Sequence, residues 1–411
     1  MLSQSTIDIV KSTAPILDEQ GEKLTRHFYK RMFKHNPEVA PYFNPAHQQV
    51  GGTQQRALAA AICAYAANID NLEVLGEAVE LIAQKHASLQ IKPDHYPVVG
   101  ENLLASIQEV LGGAATPDIV EAWGEAYGFL ADILIAREQE IYRSSAEKTG
   151  GWEGFRRFVV SRKVIESDLI TSFYLEPEDK GALPEFLPGQ YVTVRVPAAD
   201  GTSTMRNYSL SDTPGKDYLR ISVKRETGAD QVPDGYVSNR LHDRTEEGAA
   251  LEVGPPCGEF FLDVTEQHQR PLVLLAAGIG ITPILSILQT AVQAMPERPI
   301  VFVHACLNPR VQAFKSVVDA LAEQHPQLTV RYRYDELSDG ELLSDANASE
   351  GLADAEFIES LLPGKDADYY FCGPRPFMVS IYRDLLQWGI PASQVHFEFF
   401  GPREELAKAA E

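Results

Sequence analysis

The spacing of apolar residues changes twice along this chain, and that change limits most what it can fold into. Up to about Ser144 they recur at helical spacing. From residue 155 to 253 they alternate at a spacing of two. Beyond Pro271, short buried runs alternate with helical stretches. One layer cannot hold three patterns. The expected architecture is multi-domain: an all-α domain over 1–147, an antiparallel β-barrel over 148–266, and an α/β doubly wound parallel-sheet domain over 267–411. The Gly150-Gly151 pair marks the first junction.

In the helical part, Gly21 is read as interrupting one helix, with a second running through Phe28, Met32 and Phe33. Pro37 and Pro41 turn a corner that ends in Tyr42-Phe43. A helix from 53 to about 68 puts Gln54, Leu58, Ala61, Ile62 and Tyr65 on one face. Leu75, Val79, Ile82, His86 and Leu89 form another stripe, so His86 faces inward. Pro93 is placed in the first turn of the next helix, and Thr116-Pro117-Asp118 caps the last. Taken alone, His86 fits a core histidine bonded to a carbonyl as readily as a ligand. Its company is what matters: Tyr29 and Gln54 on earlier helices, Lys85 beside it, and Tyr96 and Glu138 on later ones.

Strands are expected at 155–163, 170–175, 191–196, 208–211, 218–223 and 250–253, a set that suits a closed barrel. Within it lies Arg206-Asn207-Tyr208-Ser209. Arg206 offers a planar fork of donors for phosphate oxygens. Tyr208, two residues on, shares its face and offers a ring. The same tetrapeptide also fits an ordinary exposed strand.

In the last part, the apolar strand 271–276 runs into Gly278-Ile279-Gly280-Ile281-Thr282-Pro283. Two glycines at a helix N-terminus let a pyrophosphate approach the backbone. The third glycine of the usual dinucleotide fingerprint is missing. Further strands are expected at 300–305, 328–334, 369–372 and 395–400, with helices at 311–323 and 377–388. Cys372-Gly373-Pro374 ends a later strand. No His or Asp stands beside Cys372 in sequence to activate it, so it reads as a neutral thiol.

These motifs carry a resemblance. Phe28-Tyr29, Phe43, Gln54, Leu58, Gln84-Lys85-His86, the run from Ile91 through Tyr96, and Arg137-Glu138 resemble a bacterial globin. Pro188-Gly189-Gln190-Tyr191, the Arg206 tetrapeptide, Val237-Ser238 and Pro255-Pro256-Cys257-Gly258 resemble the flavin domain of the ferredoxin–NADP reductase superfamily. The Gly278 loop, Cys372-Gly373-Pro374 and Glu398-Phe399-Phe400-Gly401-Pro402 resemble its nicotinamide domain. In that order the parts resemble the flavohaemoglobins, the bacterial and fungal nitric oxide dioxygenases.

The resemblance implies three cofactors: one haem b, one FAD, and NADH or NADPH as donor. It makes His86 the proximal iron ligand, Lys85 a cofactor contact, Tyr29 and Gln54 distal donors, Leu58 and Phe43 pocket walls, and Tyr96 and Glu138 the pair behind His86. It gives FAD to Tyr191, Arg206, Asn207, Tyr208, Ser209, Val237 and Ser238. It gives the nicotinamide nucleotide to residues 278–283 and 372–374, and the flavin face to residues 398–402. The implied reaction joins O2 and nitric oxide into nitrate. Reduction of another haem ligand such as an alkyl hydroperoxide, or gas sensing with a flavin readout, stays open as an alternative. So does a lipid in the haem pocket. NADH is favoured over NADPH because no basic cluster accompanies Arg310.

The net charge of −22 argues against nucleic acid and against stable association with an acidic membrane. The four cysteines are scattered, without a C-x-x-C, as expected of free thiols in a reducing cytoplasm. The first residues show no basic region followed by an apolar core, so no signal peptide is evident and a cytoplasmic location is expected. A monomer is expected as well.

Overall fold

The structure is a computed structural model that describes residues 2–43, 53–198, 201–228, 233–265, 270–336, 345–362 and 364–400. The chain divides into two compact units, the first formed mainly by Met1–Glu147 and the second by most of the remaining residues.

The first unit is helical. Helix α1 (Gln4–His35) is followed by a 3-10 turn (Pro37–Tyr42), then α2 (Thr53–Ala67), α3 (Gly76–Ser88), α4 (His95–Leu111) and α5 (Pro117–Glu147). Two expectations need correcting. Helix α1 does not break at Gly21. A Cβ there would lie 3.2 Å from the Cβ of Ala59 on α2, so the missing side chain lets two helices approach rather than stopping one. Pro93 does not open α4 either. It sits in the preceding turn, where its carbonyl accepts from the Tyr96 N–H at 3.1 Å. The core gathers Leu17, Leu24, Phe28, Met32, Ile107 and Trp123. Among the described residues no helix is long and apolar enough to cross a membrane.

In the second unit a six-stranded antiparallel barrel comes first. Its strands are β1 (Arg156–Ile165), β2 (Ile170–Pro177), β3 (Tyr191–Pro197), β4 (Ser203–Ser209), β5 (Leu219–Lys224) and β6 (Ala250–Val253), in the order β4-β3-β6-β1-β2-β5. Closure comes just past β4, where Leu210 bridges Ile221 and the Ser211 N–H donates to the Arg220 carbonyl at 2.9 Å. The strand expected at 208–211 begins earlier, at Ser203. Its half-buried Arg206 and Asn207 hide the alternation. A helix not foreseen, α6 (Tyr236–Arg244), follows β5.

A parallel sheet completes the unit. Strands β7 (Leu272–Ala277), β8 (Ile300–Cys306), β9 (Leu328–Tyr334), β10 (Ala348–Glu350), β11 (Asp368–Cys372) and β12 (Val395–Glu398) stand in the order β10-β9-β8-β7-β11-β12. Helices α7 (Ile281–Ala294) and α8 (Lys315–Gln324) contribute Ile284, Leu288 and Val318 to one face's core. Helices α9 (Ala355–Leu361) and α10 (Arg375–Gln387) contribute Ile358, Met378 and Ile381 to the other. The sheet is therefore doubly wound, as expected. Helix α8 starts at Lys315 rather than 311 because Phe314 adopts a φ of 62°. Strand β12 stops at Glu398 rather than 400. Short β10 and α9 were not foreseen.

Candidate functional site

In the helical unit, α3 presents His86 to α5. The His86 Nδ1–H donates to Glu138 Oε1 at 2.8 Å, and the Tyr96 hydroxyl donates to the same oxygen at 2.5 Å. Glu138 is 1% exposed, so this carboxylate exchanged water for two named donors. Burial, more than the neighbouring carboxylate, pushes the Tyr96 phenol far up and keeps its proton on. With Nδ1 committed to Glu138, the second ring nitrogen is the one left for a ligand, and a third of the His86 side chain stays accessible. Leu75, Val79, Ile82 and Leu89 on the same stripe are only half-buried. An imidazole nitrogen beside a half-open apolar stripe fits a flat apolar group that carries a metal.

In the same helical unit, Tyr29 is 6% exposed. Burial pushes its phenol well up, and a side-chain hydrogen bond with Gln54 pulls it part of the way back. Tyr29 therefore remains a donor. Phe43 meets its ring edge-on at 5.7 Å, and Phe33 stacks at 5.9 Å. Leu58, half-buried on α2, packs into the same core. Lys85 is exposed on α3.

Three supports were not legible in sequence. Arg137, one residue before Glu138, donates from Nε and Nη2 to Glu80 on α3 at 2.6 and 2.9 Å. That fork ties α3 to α5 where His86 meets Glu138. The Tyr127 hydroxyl donates to the Tyr96 carbonyl at 2.7 Å. In the second unit, His304 stands under the Gly278 loop. Each pairing joins residues far apart in sequence, and no local spacing announces it.

The barrel residues also gather. Arg206 and Tyr208 lie two apart on β4, and burial lowers the pKa of the one and raises that of the other. Asn207 faces the other way and accepts from Thr193 at 3.1 Å, while Ser209 is buried at the strand's end. Tyr191 is buried and exchanges backbone hydrogen bonds with Cys257 at 3.0 and 2.9 Å. Val237 and Ser238 fall in the first turn of α6, whose leading N–H groups have no intrahelical acceptor. This fits an anion such as a pyrophosphate.

At the carboxyl end of the parallel sheet, residues 278–283 follow β7 and residues 372–374 end and follow β11. The connections from these adjacent strands lead to opposite faces. Such a switch point is where open α/β sheets take ligands. A Cβ on Gly280 would lie 2.1 Å from the Cys372 carbonyl oxygen, so only glycine lets the two loops meet. A Cβ on Gly278 would meet nothing within 4 Å, which leaves room for a nucleotide. Ile281, Thr282 and Pro283 form the buried first turn of α7. Burial, with Glu398 second, pushes the Cys372 thiol far up, so it is a neutral wall. Glu398 pairs with Cys372 across β12 and β11. Phe399 packs on the adjacent core, and Phe400 is exposed. Gly401 and Pro402 lie outside the described residues. Cys257, Cys306 and Cys372 are buried free thiols, whereas Cys63 is half-buried.

Comparisons with known proteins agree with this layout. The globin family matches residues 26–134, the oxidoreductase FAD-binding domain 157–262, and the oxidoreductase NAD-binding domain 274–383. A flavohaemoprotein of Rhodopirellula baltica is 51% identical over 407 residues, 99% of each chain. One from Bacillus subtilis is 44% identical over the whole of both. Among solved structures, a flavohaemoglobin from Malassezia yamatoensis with bound FAD and haem superposes with a TM-score of 0.83 at 28% identity. It covers 97% of this chain and 100% of its own. The flavohaem-like FAD/NAD-binding domain of a Vibrio cholerae nitric oxide dioxygenase covers 60% of this chain and 99% of its own, at 33% identity and a TM-score of 0.54. With half its residues shared from end to end, the chain belongs to the flavohaemoprotein family.

Proposed function

We propose that this NAD(P)H-dependent haem oxidoreductase is a nitric oxide dioxygenase, turning nitric oxide and O2 into nitrate. The observation that carries the reading is that the His86–Glu138–Tyr96 cluster and the buried Tyr29, hydrogen-bonded to Gln54, belong to one helical unit. When bound, the nicotinamide supplies electrons in pairs, the flavin hands them on singly, and the haem supplies the iron where the two gases combine.

The chain's own residues do the rest. His86 would hold the iron through its second ring nitrogen, and Glu138, accepting from Nδ1, would make the ring a stronger donor. Tyr96 keeps that carboxylate in register. Tyr29, with Gln54 beside it, would offer a donor to a ligand that takes on negative charge, and its buried setting would strengthen that bond. Leu58 and Phe43 limit access, and Lys85 marks the rim. Arg206 and Tyr208 on one face of β4, with Tyr191, would hold FAD, Asn207 and Ser209 would contribute from the same strand, and the Val237-Ser238 turn would take its pyrophosphate. Residues 278–283 and 372–374 hold NAD(P)H. Glu398, Phe399 and Phe400 would lie toward the flavin, and Gly401 and Pro402 are assigned to it on the resemblance alone.

The same reading sets the domains at 1–147, 148–266 and 267–411. Helix α5 ends at Glu147, and the barrel and parallel-sheet strands fall on either side of 266. It also makes the chain a cytoplasmic monomer that favours NADH.

The test is product analysis with NADH, O2 and nitric oxide. We expect nitrate as the product, at turnovers above about one per second. Nitrous oxide formed equally fast without O2, or turnover far below that rate, would overturn the reading.

A further inference from the structure

The Gly278 loop rests on a buried histidine for which the reaction has no evident use. His304 lies on β8, beside the end of β7, and is 1% exposed. Its Nε2 is 3.1 Å from the Gly278 carbonyl oxygen, which can only accept, so the ring donates. Cys306 Sγ lies 3.3 Å from the same nitrogen. Burial lowers the His304 pKa to about 4, so the ring is neutral at ordinary pH. It gives one directed proton rather than a charge.

That direction has a consequence on the far side of the loop. The described residues contain no cis peptide bond, so Gly278 C=O and Ile279 N–H point opposite ways across one rigid plane. The carbonyl, which also accepts from the Ile281 N–H, is held onto His304, and that turns the Ile279 N–H the other way. A Cβ on Gly278 would meet nothing within 4 Å, so the loop has open space beside this peptide. Gly280, locked against the Cys372 carbonyl, holds the other end.

We propose that His304 is a positioning residue for dinucleotide binding, setting the Gly278–Ile279 peptide so that its N–H meets the pyrophosphate. This rests on the proposed binding of NAD(P)H at the loop. A backbone donor held in place before the ligand arrives spares the cost of ordering it on binding.

The test uses the oxidised full-length holoprotein and ADP-ribose, which carries the pyrophosphate but no nicotinamide. Calorimetry gives its Kd for wild type, His304→Leu, His304→Asn and His304→Gln, with haem and flavin content measured in each. Leucine removes the donor, asparagine is too short to reach the carbonyl, and glutamine can restore the bond. We expect leucine and asparagine to weaken ADP-ribose roughly fivefold to tenfold, the worth of one hydrogen bond, and glutamine to stay within about twofold of wild type. If leucine does not fold, asparagine carries the same comparison. A folded leucine or asparagine variant that binds as wild type would overturn the proposal. So would a glutamine variant as weak as the other two, since packing alone would then account for the loss. Failure of the wild type itself to bind ADP-ribose would instead remove the nicotinamide reading beneath it.

Discussion

At the scale of single residues, the chemistry depends on which atoms are already engaged. His86 has one nitrogen tied to Glu138 and one left over. Tyr29 is buried enough to stay protonated, with Gln54 as its neighbour. Protonated phenol is a donor, and a donor matters to a ligand that takes on negative charge. The Tyr29→Phe variant keeps the ring packing against Phe33 and Phe43 and removes only the hydroxyl. A hydrogen bond to a charged partner contributes about 1.5–3 kcal/mol. O2 dissociation from the ferrous protein is therefore expected to speed up roughly tenfold to a hundredfold, measured by flash photolysis or stopped flow. An unchanged off-rate would show that Tyr29 does not bond the ligand.

At the scale of elements, periodicity carried most of the fold. The stripe ending in Leu89 named α3 and its inward face, and the strand–helix alternation after Pro271 named the doubly wound sheet. Two kinds of feature escaped. Glycine is ambiguous in sequence: Gly21 reads as a break, yet it is a close contact between α1 and α2. Long-range polar pairs such as Arg137 with Glu80, or His304 with Gly278, leave no local spacing to find. Helix α6 escaped because a short polar helix has little apolar period. The candidate residues themselves were legible mainly through motifs, whereas their supports were not. The Gly21 contact has its own check. Gly21→Leu inserts a side chain where a Cβ already meets Ala59 at 3.2 Å. Overpacking of this kind costs about 1–3 kcal/mol, so the urea midpoint should fall while the flavin spectrum is unchanged. A midpoint equal to wild type would mean that α1 and α2 are not in close contact at that point.

At the scale of the whole molecule, one chain combines a helical unit suited to a gas-binding metal with a barrel and a parallel sheet suited to two nucleotides. A pair of electrons cannot enter a single iron at once, and a flavin is the group that divides them. The order of the three patterns in the sequence is then the reverse of the order in which electrons travel. The direct measurement is an absorption spectrum of the full-length holoprotein, taken before and after NADH is added without oxygen. Flavin bleaching together with a shift of the Soret band to its ferrous position is the predicted result. A flavin that bleaches while the Soret band stays ferric would contradict it.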